Sequence, residues 1–302
     1  MKIFWSLIFA AINLGAFGLF LAAPFMGWWL PKNVSSFGGD VDRLFYIILA
    51  VTGFFFVLTQ GVLVYSMIRF GDRKVEKASY IHGHLGMEAL WTAVPCLILI
   101  YLGFVQVPAW AKMKYIDLET WFPVRFSGKN IEHDLDMVVL ARQWEWRIRT
   151  PQGSRTENPA QWAETGNLND LHQINEIHAW KDAKVRIHLK TQDVIHSLFL
   201  PNLRLKQDAL PGKTMPVWFQ AVEANVKYNP ATGQLEELFP NSTWEIACTE
   251  LCGGSHYRMR GKLYIHESRQ DYERWFADAM KLQRSHELNK QANVAASTGG
   301  RQ

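Results

Sequence analysis

Three long apolar runs fill the first third of the chain and predict helices that cross a membrane. Residues 3–30 and 44–68 contain no charged side chain, and a third uncharged run covers residues 89–110. Each run matches or exceeds the ~20 residues that span a bilayer hydrocarbon core. The first run is also longer than the about 7 to 15 apolar residues of a secretory signal. We therefore expect three retained helices, although cleavage near the small residues Ala22 and Ala23 stays open as an alternative.

Basic residues predict how these helices are oriented. Lys2 precedes the first run, and the connection between the second and third runs carries Arg69, Arg73, Lys74 and Lys77. Loops rich in Lys and Arg stay on the cytoplasmic side of a membrane. The N-terminus and this connection are therefore expected inside, and everything after the third run outside.

The pattern then changes to short runs in which apolar and polar residues alternate. Such period-two runs, bounded by turn residues, predict strands of a small all-β sandwich or barrel. Two polar, turn-rich segments, residues 150–173 and 223–241, are interpreted as insertions or long surface loops. Residues 268–285 predict an amphipathic helix with Ser268 as its cap, and the tail from residue 286 is expected to be disordered. The predicted strands lie at residues 136–148, 176–177, 184–189, 193–200, 217–222, 242–248 and 260–266.

Composition agrees with a membrane anchor at residues 1–111 and an outer domain at residues 112–267. A helix and a tail at residues 268–302 follow the outer domain. The chain is 48% hydrophobic and contains thirteen Trp, yet its mean hydropathy is only -0.10 because the two parts average out. A net charge of +4, with Lys and Arg dispersed, excludes a nucleic-acid-binding protein. Of the three cysteines, Cys96 lies in an apolar run and is interpreted as a small buried hydrophobe.

Residues 248–259 concentrate soft metal ligands directly after a predicted strand. Cys248, Cys252, His256 and Met259 follow one another at intervals of three or four residues. Thiolate, imidazole and thioether groups are the ligands that copper prefers, whereas hard cations prefer oxygen. A disulfide between the two cysteines and a structural zinc site remain alternatives, but neither would use Met259.

These residues resemble the binuclear copper (CuA) motif of the cytochrome c oxidase subunit II family. The similarity extends over nearly the whole chain. It implies three N-terminal transmembrane helices followed by a cupredoxin-like domain. The other segments that carry it are residues 193–197 with Pro201, residues 208–212, the run Gln143, Trp144, Glu145, Trp146, and Glu88, Trp91, Thr92 and Pro95 at the start of the last membrane helix.

The resemblance implies a set of metal ligands. Cys248 and Cys252 would bridge two copper ions, and His196 and His256 would each bind one of them. A lone His in a strand is more often a core residue, but a closed site needs a ligand from outside the loop, which favours this assignment for His196. Met259 and the backbone carbonyl of Glu250 would be weak axial ligands, and the Glu250 carboxylate would reach a magnesium or manganese ion at the contact with subunit I.

The resemblance also implies residues that pass electrons. Trp144, in preference to Trp146, would receive electrons from a c-type cytochrome, although a Trp in a β domain is usually a packing residue. Glu145 departs from the family, which often has an aromatic residue there, and this makes the docking surface of the cytochrome uncertain. Asp193 and Asp208 would orient the ligand His196 or face the cytochrome, with surface solvation as the alternative for each.

Glu88 is an ionisable residue at the cytoplasmic end of the third span, where a charge is costly. The resemblance implies that it is the mouth of a proton channel that continues into subunit I. The alternative is an interfacial carboxylate that pairs with a nearby base. His82 and His84 precede it, and we assign them no role beyond the membrane interface.

The function implied is that of subunit II of a haem-copper terminal oxidase in a bacterial inner membrane, with the copper domain on the periplasmic side. It would pass electrons to haem in subunit I, where oxygen reduction is coupled to proton translocation, and a subunit III is expected as a further partner. No Cys-x-x-Cys-His stretch for attached haem is present. The alternatives are the equivalent subunit of a CuA-containing nitric oxide reductase and a membrane-tethered metal-binding assembly protein.

Overall fold

The computed structural model describes residues 2–70, 82–114, 133–152, 159–165, 169–240 and 242–299. The chain forms two compact units. One consists of Met1–Pro31 with Asp40–Ala111, and the other of Lys32–Gly39 with Lys112–Gln302.

The first unit contains the three helices that the apolar runs predict. Helix α1 is Lys2–Ala22, α2 is Gly38–Phe70 and α3 is Leu85–Met113, and all three are long and apolar enough to cross a membrane. Helix α1 ends before the first apolar run does. Pro24 cannot continue an α-helical hydrogen-bond ladder, and a 3-10 turn, Ala23–Met26, closes on Gly27 in the left-handed conformation (φ 72°).

Two further differences concern helix boundaries and the basic connection. Residues 38–43, which precede the second apolar run, form the first turns of α2, with Asp40 near the positive end of the helix dipole. The basic residues Arg73, Lys74 and Lys77, on which the predicted orientation depends, lie outside the described residues.

The second unit contains a β-sandwich with a long C-terminal helix. The strands are β1 (Leu135–Arg142), β2 (Glu145–Thr150), β3 (Leu171–Ile174), β4 (Glu176–Trp180), β5 (Lys184–Thr191), β6 (His196–Leu200), β7 (Leu205–Ala209), β8 (Met215–Gln220), β9 (Val226–Asn229), β10 (Gln234–Glu237), β11 (Trp244–Cys248) and β12 (Arg260–His266). One sheet has the order β3-β2-β1-β5-β8, and the other has the order β10-β9-β12-β11-β6-β7, with β4 also paired to β12.

The core of the sandwich follows from the alternation of the strand sequences. On β5, Val185, Ile187 and Leu189 are fully buried, whereas Lys184, Arg186 and Lys190 between them keep their polar ends partly exposed. Residues on opposite faces of a strand alternate in this way when one face packs on a core. The other fully buried core residues of the sandwich include Leu135, Met137, Val139, Ala141, Trp146, Ile177, Leu198, Phe219, Ile246 and Ile265.

The two segments interpreted as insertions contain regular structure. Residues 223–241 include the hairpin of β9 and β10, and residues 150–173 include helix α4 (Pro159–Glu164) and most of β3. Helix α5, Arg269–Gly299, begins as predicted, because the Asp271 amide donates to the Ser268 hydroxyl at 3.2 Å. The prediction of a disordered tail from residue 286 is wrong, since α5 continues to Gly299.

Residues 32–39 form an edge of the second unit, which we call the outer unit. The sequence pattern does not predict this edge. The Val34 amide donates to the Asn202 carbonyl (2.9 Å), and the Ser36 amide donates to the Gln220 carbonyl (3.0 Å). Val34 and Phe37 are fully buried, and the Phe37 ring lies 5.5 Å from that of Trp218. The connection between α1 and α2 therefore completes the outer unit beside β8.

Candidate metal centre

Four connections meet at one end of the sandwich and form the candidate site. Strands β1 and β5 run parallel and end there, with Ala141 opposite Thr191. His196, the first residue of β6, pairs with Ala209 at the end of β7, and β11 reaches the same end with Cys248 opposite Leu198. The connections are residues 143–144, 192–195, 210–214 and 249–259.

The sulfur and imidazole groups of the sequence motif converge. The Sγ atoms of Cys248 and Cys252 are 3.8 Å apart, and His196 Nδ1 lies 3.9 Å from Cys248 Sγ. His256 Nδ1 is 3.4 Å from Cys252 Sγ, and Met259 Sδ is 3.8 Å from the same sulfur. The ligand atoms of His196, Cys248 and Cys252 lie within 4.8 Å of one another, which identifies them as a possible metal-binding cluster.

Four of the five converging side chains are shielded from solvent, and His256 is partly exposed. His196 and Met259 are fully buried, and Cys252 and Cys248 are nearly so. Both cysteines are free, because a disulfide needs an S–S distance of about 2.05 Å. The loop is fixed at its base by two backbone hydrogen bonds, from Cys248 N to Met259 O (3.2 Å) and from Thr249 N to Ser197 O (3.1 Å).

This donor set fits copper. One metal ion contacts sulfur at about 2.3 Å, so two thiolates that are 3.8 Å apart can share it. The His196 Nε2 atom faces the Asp193 carboxylate at 2.8 Å. With the proton on Nε2, the lone pair of Nδ1 points toward the sulfurs, as expected for a ligand imidazole oriented by a carboxylate.

The protonation of the two thiols differs. Burial raises the pKa of Cys248, but hydrogen bonds with His196 and with the backbone outweigh this and lower it below its usual value. Burial and the negative charge of Cys248 raise the pKa of Cys252. The two thiols therefore titrate as a coupled pair, and a bound cation would favour the loss of both protons.

Trp144 and Trp146 have different environments. Trp144 is 39% exposed, and its indole Nε1 donates to the Cys252 carbonyl at 3.2 Å. Trp146 is fully buried, and its ring lies 6.3 Å from that of His196. Only Trp144 of the two combines an exposed surface with a direct contact to a candidate ligand.

The two aspartates also differ. Asp193 accepts hydrogen bonds from His196 Nε2 and from the Gln143 and Val194 amides at 2.7–2.8 Å. Partial burial raises its pKa, but these hydrogen bonds outweigh that effect and the pKa lies below its usual value. Asp208 is exposed on β7, with its backbone paired to Ser197, and no bond to a ligand is present among the described residues.

Glu250 and Glu88 lie in different units. The Glu250 carbonyl is 3.3 Å from Cys248 Sγ, while its side chain is exposed. Glu88 is in the first turn of α3, where its Oε1 accepts from the His84 amide, and His84 Nδ1 accepts from the Met87 amide, both at 3.2 Å. Glu88 and His84 therefore cap the N-terminus of α3. The sequence does not predict this role for His84.

A buried chain of polar side chains was also missed. His178 Nδ1 faces His266 Nε2 at 3.2 Å, and His266 Nδ1 faces the Asp271 carboxylate at 3.0 Å. Asp271 also accepts from the Tyr228 amide at 3.0 Å, and the His178 ring stacks on Trp275 at 3.7 Å. These residues lie in separate strands and in α5, so their spacing along the chain contains no recognisable motif.

Two family models match the chain. Residues 24–108 match the model described as "Cytochrome C oxidase subunit II, transmembrane domain", and residues 136–263 match "Cytochrome C oxidase subunit II, periplasmic domain". Together the two matches cover well over half of the chain.

Similar proteins include two cyanobacterial relatives and one from a rhizobium. "Cytochrome c oxidase subunit 2" of Synechocystis is 27% identical over 82% of this chain and 75% of its own length, and that of Thermostichus vulcanus is 27% identical over 82% and 77%. "Alternative cytochrome c oxidase subunit 2" of Bradyrhizobium diazoefficiens is 24% identical over 89% and 90%. Among solved structures, the periplasmic domain of cytochrome oxidase subunit II (CoxB) of Bradyrhizobium japonicum aligns with a TM-score of 0.37 and 21% identity, over 50% of this chain and 96% of that one.

Proposed function

The chain belongs to the cytochrome c oxidase subunit II family, and from that premise we propose that it holds a binuclear copper centre through which its oxidase receives electrons. It is a subunit of a haem-copper oxidase complex and a membrane protein with a periplasmic domain. The observation that carries the proposal is the convergence of His196, Cys248 and Cys252, whose ligand atoms lie within 4.8 Å of one another. Family membership favours the oxidase over the nitric oxide reductase and the assembly protein.

Each ligand has a role in this proposal. Cys248, Cys252, His196 and His256 would together hold two copper ions. Copper bound by these residues would supply one-electron transfer. The cysteines lie on a loop that backbone hydrogen bonds fix at Cys248 N and Thr249 N. His196 comes from a separate strand, and Asp193 holds its imidazole by a hydrogen bond. Met259 and the Glu250 carbonyl would be weaker ligands of the same ions.

Electrons arrive at Trp144 from a c-type cytochrome. Its indole is exposed on one side and donates to the Cys252 carbonyl on the other, so a hydrogen bond and a few covalent bonds connect the surface to a ligand sulfur. Glu145 beside it has its charge offset by Arg142 (3.0 Å) and Arg147 (2.6 Å). With two arginines around one glutamate, this part of the surface next to Trp144 carries a net positive charge.

The other contacts of the subunit are also proposals. Electrons leave toward haem in subunit I, with a subunit III as a further partner, and the exposed Glu250 carboxylate binds magnesium or manganese at the subunit I contact. Glu88 admits protons to a channel that continues into subunit I and so couples oxygen reduction to proton translocation. The membrane is a bacterial inner membrane, with the copper domain in the periplasm.

Metal analysis combined with electron paramagnetic resonance tests the copper centre. The full chain, purified in detergent with its oxidase complex, should contain two copper ions per chain in this subunit, which share one unpaired electron. The Cys252→Ser variant is the matched comparison, because it removes one thiolate by exchanging a single atom of the chain. Zinc in place of copper, or a single localised copper in the wild-type chain, would contradict the proposal.

A further inference from the structure

The carbonyl oxygen of Cys252 accepts two hydrogen bonds from the turn between β1 and β2. Gln143 Nε2 donates at 2.7 Å, and Trp144 Nε1 donates at 3.2 Å. The shorter bond comes from Gln143, which the sequence motif does not mark as a site residue. An indole that is partly exposed needs such a neighbour, because a single hydrogen bond contributes only about 1 kcal/mol to holding a side chain in place.

The turn and the metal loop approach each other closely at Gly253. This glycine has φ +117°, and a Cβ placed on it would lie 2.9 Å from Gln143 Nε2 and 3.3 Å from Trp144 Cζ2. The backbone conformation favours glycine here, and any other residue would displace the end of the Gln143 side chain. The Gln143 and Trp144 side chains thus lie directly against the loop that carries the cysteines.

The backbone of Gln143 is tied to a second candidate ligand. Its amide donates to Asp193 Oδ2 at 2.8 Å, and Asp193 Oδ1 faces His196 Nε2 at 2.8 Å. Gln143 is therefore connected through its side chain to Cys252 and through its amide to His196, which lie 56 residues apart in the sequence. Among the described residues, Gln143 therefore bonds both to the loop that carries the cysteines and to the aspartate that holds His196.

We propose that Gln143 is a positioning residue that holds the Trp144 indole on the Cys252 carbonyl, so that electrons arriving at Trp144 pass to the cysteine through this hydrogen bond. The proposal rests on the proposed role of Trp144 and deepens it. In this role Gln143 acts through Trp144 and is not itself a metal ligand. Its role is to keep the distance from Trp144 Nε1 to the Cys252 carbonyl short enough for a hydrogen bond.

The test uses Gln143→Met, which has nearly the same length but no donor, and Gln143→Glu, which keeps the shape and replaces the amide donor by an acceptor. Gln234→Met is the control, because Gln234 is an exposed residue of β10 and makes no side-chain hydrogen bond that the structure shows. Two readouts are measured. One is the ¹⁹F resonance of 5-fluorotryptophan at position 144 in the copper-free full chain, assigned by its loss in Trp144→Phe. The other is the rate at which a reduced c-type cytochrome reduces the copper in the loaded complex.

Both Gln143 variants should shift or broaden the Trp144 resonance and slow copper reduction about fivefold, the population change that corresponds to losing one hydrogen bond. The copper content of all the variants should match the wild type. The control Gln234→Met should also match it in both readouts. An unshifted resonance overturns the proposal, and so does a wild-type rate in the Gln143 variants when Trp144→Phe is slow. Loss of copper in both Gln143 variants also overturns it, since Gln143 would then maintain the loop itself. If Trp144→Phe has a wild-type rate, the proposed role of Trp144 fails, and the resonance alone decides whether Gln143 positions the indole.

Discussion

At the residue scale, Met259 differs from the other candidate ligands in the strength of the bond that it can form. A thioether is a weak, neutral donor that adjusts the potential of a copper site more than its affinity. Met259 is fully buried, with Sδ 3.8 Å from Cys252 Sγ. Replacing it by Leu conserves the volume of the side chain, which usually costs less than about 1.5 kcal/mol.

We therefore expect Met259→Leu to retain two coppers per chain and to change the reduction potential of the site. Redox titration of the full chain, together with metal analysis, measures both quantities. Cys252→Ser serves as the comparison, because it should lose copper and the shared unpaired electron. Equal loss of copper in the two variants would show that Met259 is not a weak axial ligand.

At the element scale, helix α5 is joined to the outer domain by the chain of His178, His266 and Asp271. Burial and, to a smaller extent, the nearby His178 lower the pKa of His266 to about 2. Burial also lowers the pKa of His178. In the unfolded chain both imidazoles would titrate near 6.5. Below that pH the unfolded state binds protons that the folded state does not, so acid destabilises the fold.

The expected result is a lower melting temperature of the outer domain as the pH falls from about 7.5 to about 5, because stability is lost below the unfolded pKa of 6.5. A loss of about 1 kcal/mol corresponds to a decrease of about 2–4 °C for a domain of this size. His266→Gln should reduce this pH dependence, whereas His172→Gln, at an exposed position of β3, should preserve it. Burial raises the pKa of Asp271, which acts in the opposite direction and limits the decrease. An unchanged pH dependence in His266→Gln would contradict this account.

Helix α3 begins at a cap in which Glu88 has a structural alternative to proton uptake. Its Oε1 accepts the His84 amide at 3.2 Å. Glutamine can make the same hydrogen bond but cannot carry a proton, whereas alanine can do neither. Loss of a helix cap costs about 1 kcal/mol, while removal of a group that transfers protons slows a reaction about 100-fold or more.

If Glu88 admits protons, Glu88→Gln and Glu88→Ala should both lose most of the oxidase turnover. If it only caps α3, Glu88→Gln should keep wild-type turnover and stability, and Glu88→Ala alone should be destabilised. Oxygen consumption and thermal stability of the purified complex distinguish the two cases. We expect the first result, and wild-type turnover in Glu88→Gln would contradict the proposed role.

At the scale of the whole molecule, local patterns predict the elements but not their long-range contacts. The apolar runs predict the three helices, alternation predicts most strands, and the soft donors of residues 248–259 indicate copper. Gln143 was missed because its bond to the Cys252 carbonyl joins positions 109 residues apart. Residues 32–39 were missed because backbone hydrogen bonds to the edge of a sheet leave no periodic signal.

Residues 32–39 lead to the last prediction, because they belong to the outer unit although they lie between two membrane helices. Phe37 is 1% exposed, and Phe→Ala at a buried site costs about 3–5 kcal/mol. Phe37→Ala should therefore lower the melting temperature of the outer unit in the full chain by roughly 6–20 °C, as followed by near-ultraviolet circular dichroism. Phe25→Ala is the control, since Phe25 belongs to the first unit and not to the sandwich. An equal melting temperature in Phe37→Ala and the wild type would show that residues 32–39 do not unfold together with the sandwich. The expected decrease means that an excised domain starting at residue 112 lacks part of its own core.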